Sequence, residues 1–154
     1  MFGLALSMFF LSPQVHAACG LSLTTTNVSI NWTTSFTFIS VPLTVNKTGP
    51  DACDFGVGFT KGTAASYAAR VATDGAKSVQ YQLYRDNSLA NILKDVPDIA
   101  NANDVVRGGF AGGTNMTQAS SYYLQIPYNA DTAPALISAG SFTDVYNVNL
   151  YEGT

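Results

Sequence analysis

The sequence is poor in charged residues. Of its 154 residues, 7 are Lys or Arg and 10 are Asp or Glu, so only 11% are charged, whereas soluble domains usually contain about 25%. The few positive charges form no run, and the formal net charge is -3. Such a chain has no basic surface with which to neutralise phosphates. We therefore expect no nucleic-acid partner.

Histidine is nearly absent, because His16 is the only one in the chain. It lies in a segment that we predict to be removed. Residues 3–11 are almost all apolar, and a short polar stretch then leads to small residues at Ala17 and Ala18, which is typical of a secretory signal peptide. We predict a signal peptide over residues 1–17, cleaved near Ala17/Ala18, and one domain over 18–154. The apolar run is too short for a transmembrane helix, which needs about 20 residues.

Loss of His16 excludes several kinds of active site. A Ser-His-Asp or Cys-His nucleophile requires histidine, and so does a His-ligated zinc or copper site. Asp95, Asp98 and Asp104 could form a carboxylate pair or a calcium site, but most aspartates of this chain lie beside Gly, Pro or Asn, where turn formation explains them. We predict no catalytic residues, no cofactor and no metal site, and therefore no enzyme.

Cysteine is almost as scarce as histidine, since Cys19 and Cys53 are the only two. In a chain exported to an oxidising compartment, such a pair favours a structural disulfide. We predict that Cys19 and Cys53 are joined and that the bond is a large part of the stability of this small domain.

Apolar and polar residues alternate along the rest of the chain, and no helical stripe is present. The alternation predicts strands over 28–32, 36–45, 53–59, 79–84, 122–128 and 146–150. Pro42, within the second strand, indicates an edge position or a bulge. Turn signals rich in Gly, Asn and Pro separate the segments. The pattern predicts an all-β fold, an antiparallel β-sandwich.

The segment 86–120 does not follow this alternation. It is rich in Asn, Asp, Gly and Ala, and its apolar residues keep no sustained period. A structureless loop of this length is uncommon in a compact domain. Two interpretations stay open: the segment contains one or two short strands, or it is an elaborated surface loop with a function.

Four segments occur in an order that is typical of one family: Cys19-Gly-Leu-Ser, Cys53-Asp-Phe-Gly, Tyr81-Gln-Leu-Tyr-Arg-Asp and Ala139-Gly-Ser-Phe-Thr-Asp-Val-Tyr-Asn-Val-Asn-Leu. In them the chain resembles spore coat protein U domains, which include the subunits of archaic chaperone-usher pili in Gram-negative bacteria. The resemblance implies an immunoglobulin-like, pilin-type sandwich with a structural or adhesive role at the cell surface. It also implies a periplasmic chaperone, an outer-membrane usher and neighbouring pilin subunits as partners, which add a strand to an exposed groove.

The resemblance also bears on the position in the pilus. A polymerising subunit carries an alternating apolar extension ahead of its first cysteine, whereas cleavage near Ala17 would leave only Ala18 before Cys19. We therefore expect a distal subunit at the tip that mediates attachment and biofilm formation, with a possible second domain after Thr154. The alternative is a spore-coat or extracellular matrix protein that does not polymerise by donor strands.

An adhesive surface would use loops at one end of the sandwich. The segments 96–110 and 130–139 contain apolar residues that suit contact with a hydrophobic surface. The candidate contact residues in these two segments are Pro134, Leu136, Ile137, Val105, Val106 and Phe110.

Overall fold

The computed structural model describes residues 19–28, 39–73, 78–126 and 143–153. The predicted signal peptide lies outside these ranges. Within them the chain forms nine strands: β1 (Leu21–Thr25), β2 (Ile39–Lys47), β3 (Cys53–Phe59), β4 (Val71–Thr73), β5 (Ser78–Gln80), β6 (Gln82–Tyr84), β7 (Val106–Phe110), β8 (Met116–Gln125) and β9 (Val148–Glu152). Single 3-10 turns occur at Tyr67–Ala69, Val96–Asp98 and Ala102–Asp104. None of the helical turns in these ranges is long and apolar enough to cross a membrane.

The strands form two main sheets and one small one. The first sheet has the order β1-β2-β8-β6, the second has the order β7-β3-β9, and β4 pairs with β5. Each of these strand pairs is antiparallel. Buried residues of both main sheets join in one apolar cluster. The predicted all-β antiparallel sandwich is therefore confirmed, and its layers are consistent with the immunoglobulin-like pilin fold.

The core follows from the alternation in β2 and β3. Every second residue of these strands is at most 3% exposed: Val41, Leu43, Val45, Phe55, Val57 and Phe59. Phe59 also packs on Tyr122 of β8, with 4.7 Å between ring centroids, which joins the two sheets. Full burial of one such apolar side chain stabilises the fold by roughly 1.5–3 kcal/mol.

Most of the predicted strands are present with shifted ends. The strand predicted over 53–59 coincides with β3, and that over 36–45 corresponds to β2. The strand predicted over 79–84 is divided at Tyr81, whose N–H donates to the carbonyl of Arg70 at 3.1 Å, because the chain passes there from the small sheet into the four-stranded one. The prediction over 28–32 falls mostly outside the described residues, and β1 was not predicted.

The segment 86–120 contains strands, as the first of the two interpretations held. It includes β7, the first half of β8 and two 3-10 turns. Two glycines interrupt the alternation of β7, and Gly108 has a packing reason: a Cβ there would lie 2.4 Å from Cζ of Phe55. The Phe55 ring occupies the space that a side chain at this position would need.

Two buried cations hold loops against the sandwich. The Arg70 guanidinium is fully buried and donates to the carbonyl of Leu93 at 2.7 Å and to Oε1 of Gln82 at 2.7 Å. The Lys47 ammonium donates to the carbonyls of Ala111 at 2.8 Å and Gly113 at 2.9 Å. Hydrogen bonds to main-chain dipoles satisfy these buried charges, so each cation fixes the loop that it contacts.

The predicted disulfide is present between Cys19 and Cys53. Cys19 lies just before β1 and Cys53 begins β3, so the bond joins the two main sheets at one end.

The disulfide predicts a large effect on stability. Because the bond closes a separation of 34 residues, replacing both cysteines with Ala should lower the free energy of unfolding by roughly 3–4 kcal/mol. Urea unfolding of the oxidised protein and the double variant at pH 7 measures this difference. A loss below about 1 kcal/mol would contradict it.

Candidate interface at the free sheet edges

Strand β9 is an edge strand. It pairs with β3 over the register from Phe55 opposite Glu152 to Phe59 opposite Val148, and no second partner occurs in the described part of the chain. An edge strand presents unpaired backbone N–H and C=O groups, which form a template for pairing with another strand.

The hydrogen bonds at the ends of β9 show which residues carry the unpaired groups. The N–H of Gly153 donates to the carbonyl of Asp54 at 2.9 Å, and the N–H of Thr60 donates to the carbonyl of Asn147 at 3.0 Å. In an antiparallel pair, alternate residues direct both backbone groups to the same neighbour. Asn149 and Tyr151 therefore bond to β3, and the backbone groups of Val148, Leu150 and Glu152 point to the free edge.

The same alternate residues carry the core-facing side chains of β9. Val148 and Leu150 are half-buried and pack against the core cluster. Their β3 partners, Phe59 and Val57, are fully buried. The free edge of β9 thus combines unpaired backbone groups with apolar side chains that the fold covers only in part.

Strand β1 forms a similar edge on the other sheet, since β2 is the one strand that pairs with it within the ranges that the structure describes. The N–H of Thr48 donates to the carbonyl of Gly20 at 3.2 Å, so by the same alternation the backbone groups of Leu21 and Leu23 point away from β2. Both leucines are half-buried and pack against the core. Pro42 directs its backbone to the β1 side of β2, but it lies beyond Leu43, the last β2 residue that is opposite a residue of β1. Its missing N–H therefore removes no bond to β1. The predicted edge strand or bulge is not what the structure has, because β2 lies between β1 and β8 and keeps a continuous register with β8.

The two edges lie near each other. Several Cα atoms of β1 and β9 approach within 8 Å, although the strands belong to different sheets. The Cys19 and Cys53 sulfurs and a carboxylate oxygen of Glu152 lie within 4.8 Å of one another at one end. Since both sulfurs are in the disulfide, they are not thiolates that could ligate a metal.

A tyrosine cluster fixes the chain where it enters β9. The Tyr81 hydroxyl donates to Oδ2 of Asp144 at 2.6 Å, and the hydroxyls of Tyr122 and Tyr146 lie 2.8 Å apart. Asp144 Oδ1 also accepts from the Thr63 hydroxyl at 3.0 Å. Burial, reinforced by the hydrogen bonds to Asp144 and Tyr146, raises the pKa values of Tyr81 and Tyr122. These hydroxyls therefore stay protonated well above pH 10.

The predicted adhesive residues divide into two groups. Val105, Val106 and Phe110 are 0%, 5% and 7% exposed, so their proposed role in an exposed contact surface is wrong. The glycine-rich surroundings suggested a surface loop, whereas β7 pairs with β3 and directs Val106 and Phe110 into the core. Pro134, Leu136 and Ile137 lie outside the described residues.

The three aspartates that were considered as an acidic site all have structural partners. Asp104 accepts from Lys94 Nζ at 3.0 Å and from the N–H of Ala100 at 2.8 Å. Asp98 accepts from the Tyr67 hydroxyl at 2.8 Å, and Asp95 contacts β9. The sequence did not reveal the two free edges, although Leu21 and Leu23, separated by Ser22, were a signal for the first of them.

Comparison with known proteins identifies a family and a related fold. The sequence model of the Spore Coat Protein U domain family matches residues 5–149 of this chain. The fold is similar, with a TM-score of 0.52 and 11% identity, to a chain in the crystal structure of the CsuC–CsuE chaperone–tip adhesion subunit pre-assembly complex from archaic chaperone-usher Csu pili of Acinetobacter baumannii. The match covers 84% of this chain and 38% of that chain. No curated protein matches the sequence significantly.

The tyrosine cluster predicts that the fold loses stability at high pH. Below pH 10 these tyrosines are protonated in both states. Above it the unfolded chain loses their protons while folded Tyr81 and Tyr122 keep theirs, so stability should fall by about 1.4 kcal/mol per pH unit for each tyrosine. Urea unfolding between pH 8 and 11.5 measures this slope. Tyr122→Phe should be less stable at pH 8, because Tyr146 loses a partner, but should have a shallower slope above pH 10. A variant slope equal to that of the unmodified chain would disprove the assignment.

Proposed function

The chain belongs to the Spore Coat Protein U domain family, and on this basis we propose that it is a structural and adhesive subunit of a bacterial surface pilus assembled by a chaperone-usher system. Its partners are a periplasmic chaperone, an outer-membrane usher and neighbouring pilin subunits. Residues 1–17 direct export, and the mature chain reaches the cell surface as part of the fimbrium. The chain has no catalytic role in this proposal.

One observation carries the proposal. On β9, Val148 and Leu150 combine free backbone groups with half-buried apolar side chains, and on β1 the same holds for Leu21 and Leu23. A strand added at this place would satisfy the backbone groups and cover the side chains together, which is the basis of recognition by β-augmentation. Chaperone and neighbouring subunit would use the same edges in turn.

The spacing of the edges adds a condition. Neighbouring strands lie about 4.8 Å apart, so a strand bonded to both β1 and β9 needs about 9.6 Å between them. Several Cα atoms of the two strands are within 8 Å. Uptake of a strand by both edges must therefore move β1 and β9 apart in at least part of their length.

We place the subunit at the pilus tip. The related fold belongs to a complex described as containing a tip adhesion subunit, and this chain spans 38% of the chain that it matches, which supports a comparison with one domain of a longer protein. At the tip the domain would mediate attachment and biofilm formation.

The contact with a surface is assigned to Pro134, Leu136 and Ile137. These residues are apolar and lie beside turn signals, so a central strand is a poor place for them. Val145, which soon follows their segment, is 78% exposed. An exposed apolar side chain at the entrance to β9 supports a hydrophobic contact there.

The close approach of β1 and β9 favours one alternative, a spore-coat or extracellular matrix protein whose sandwich is closed without a donor strand. In that case each edge would shield the other, and the chain would fold alone and take up no strand.

Matched substitutions on β1 test the proposal. Leu23 faces the core from the free edge, while neighbouring Ser22 is exposed and directs its backbone toward β2. Leu23→Lys places an unpaired charge in the strand-binding surface, which is strongly unfavourable. It should reduce recovery of the chaperone complex by more than about 100-fold, whereas Ser22→Lys should change it by less than about threefold. The measurement is the amount of full chain that co-purifies from the periplasm with a tagged pilus chaperone of the same genome.

The unmodified chain provides the decisive comparison. Export without the chaperone should yield mostly degraded or aggregated protein, from which the free chain is obtained for measurement by refolding, and export with it should yield a soluble complex. A soluble monomer that unfolds cooperatively and binds no chaperone would show that the sandwich is complete without a donor strand, and would overturn strand uptake at these edges, on which the pilus proposal rests.

A further inference from the structure

A loop crosses the outer face of the three-stranded sheet and reaches β9. The N–H of Phe59 donates to the carbonyl of Lys94 at 3.0 Å, so the loop begins along the side of β3 opposite β9. A Cβ on Gly58 would lie 2.5 Å from Oδ1 of Asp95 and 3.0 Å from the nitrogen of Val96. Glycine at this position therefore lets the loop lie directly on β3.

Asp95 uses this position to hold the outer side of β9. Its Oδ2 accepts from Nδ2 of Asn149 at 2.8 Å, and its Oδ1 accepts from the Tyr151 hydroxyl at 2.8 Å. Oδ1 also accepts from the N–H of Val96 at 3.0 Å, which caps the following 3-10 turn. Burial and the hydrogen bond to Asp95 raise the pKa of Tyr151 to about 12, so its hydroxyl donates throughout the physiological range.

The loop itself is anchored in the body of the sandwich. The Tyr67 hydroxyl accepts from the N–H of Asp95 at 3.2 Å and donates to Asp98 at 2.8 Å. The Tyr67 ring lies 5.1 Å from the guanidinium carbon of Arg70, and buried Arg70 binds the carbonyl of Leu93 at 2.7 Å. A fixed loop thus presents the Asp95 carboxylate to β9, which among the described residues has only β3 as a neighbouring strand.

The contacts of Asp95 leave the free edge open. Asn149 and Tyr151 direct their backbone groups to β3 and their side chains to Asp95, while Val148 and Leu150 have their backbone groups on the opposite side. Asp95 therefore steadies β9 without occupying any group that an incoming strand would use.

We propose that Asp95 is a positioning residue for strand uptake, which holds β9 extended from its outer face so that the Val148–Glu152 edge is preorganised for a donor strand. The inference rests on the proposed function. Preorganisation raises affinity because less order has to be imposed during binding. Without Asp95, β9 remains paired with β3 but frays more often. Each time it frays, the extended edge to which a donor strand would bond is lost.

The test compares Asp95→Ala with Asp98→Ala. Asp98 lies on the same 3-10 turn and bonds to Tyr67 rather than to β9, so its substitution perturbs the loop but leaves the Asn149 and Tyr151 contacts. Each full-length variant is exported with a tagged pilus chaperone of the same genome, and the captured fraction is measured. Two hydrogen bonds to a carboxylate are lost in Asp95→Ala, so capture should fall at least tenfold. It should fall less than about threefold in Asp98→Ala. Asp95→Asn should recover most of the loss, because its amide oxygen can still accept from the Tyr151 hydroxyl as well as cap the turn.

A second readout does not depend on the chaperone. In the purified chain, the amides of Asn149 and Tyr151 should exchange hydrogen at least tenfold faster in Asp95→Ala than in Asp98→Ala, while the amides of β8 exchange alike in both. A purely structural role would accelerate exchange in β8 as well.

The outcomes separate the two proposals. If the unmodified chain is not captured by the chaperone, the proposed function fails, and amide exchange alone decides whether Asp95 steadies β9. If the unmodified chain is captured and Asp95→Ala is captured equally well, or both alanine variants lose capture equally, the positioning role is overturned and the proposed function stands.

Discussion

In an antiparallel strand, alternate residues direct their backbone N–H and C=O groups to the same side. In β9, the residues whose backbone groups point to the free edge are also the residues whose side chains face the core. Val148 and Leu150 therefore need two things from the same place: a hydrogen-bonding partner along the edge and an apolar cover over their side chains. A strand provides both. The half-buried Leu21 and Leu23 of β1 meet the same condition on the other sheet, so a single strand would serve both edges once β1 and β9 had moved apart.

Several separate interactions determine where these two edges lie. The Cys19–Cys53 disulfide fixes the start of β1 to the start of β3, and β3 is the strand that pairs with β9. The bonds of Asp144 and Tyr146 hold the chain as it enters β9, and Asp95 holds the outer side of the strand itself. Each of these interactions contacts the ends or the outer face of the strands and leaves their free edges unoccupied.

Local sequence was sufficient for the features that depend on alternation. The clean period of two in 53–59 predicted β3, and the cysteine pair in an exported chain predicted the disulfide. β1 was missed because its alternation is short and runs into the threonines at 24–26. Val105, Val106 and Phe110 were misplaced because Gly108 and Gly109 suggested a surface loop. Gly108 is instead required by the Phe55 ring, a packing constraint between strands that are distant in sequence.

The polar contacts around the edges could not be predicted from the local sequence. Asp95 has the sequence context of a turn residue, and it does cap a 3-10 turn, but its partner Tyr151 is 56 residues away. Arg70 binds the carbonyl of Leu93, 23 residues away, which no side-chain pattern encodes. The pairing of β3 with β9 is what brings Tyr151 to Asp95. The family resemblance predicted an exposed groove, and the hydrogen-bond alternation now indicates which backbone groups would line it.

Residue-resolved amide hydrogen exchange of the full chain, alone and bound to the pilus chaperone that we propose as its partner, tests the central claim most directly. Strand addition at the free edges predicts that the amides of Leu21, Leu23, Val148 and Leu150 become protected in the complex. The amides of Asn149 and Tyr151, already bonded to β3, should be protected in both states. A complex in which the first four amides exchange as fast as in the free chain would contradict the account.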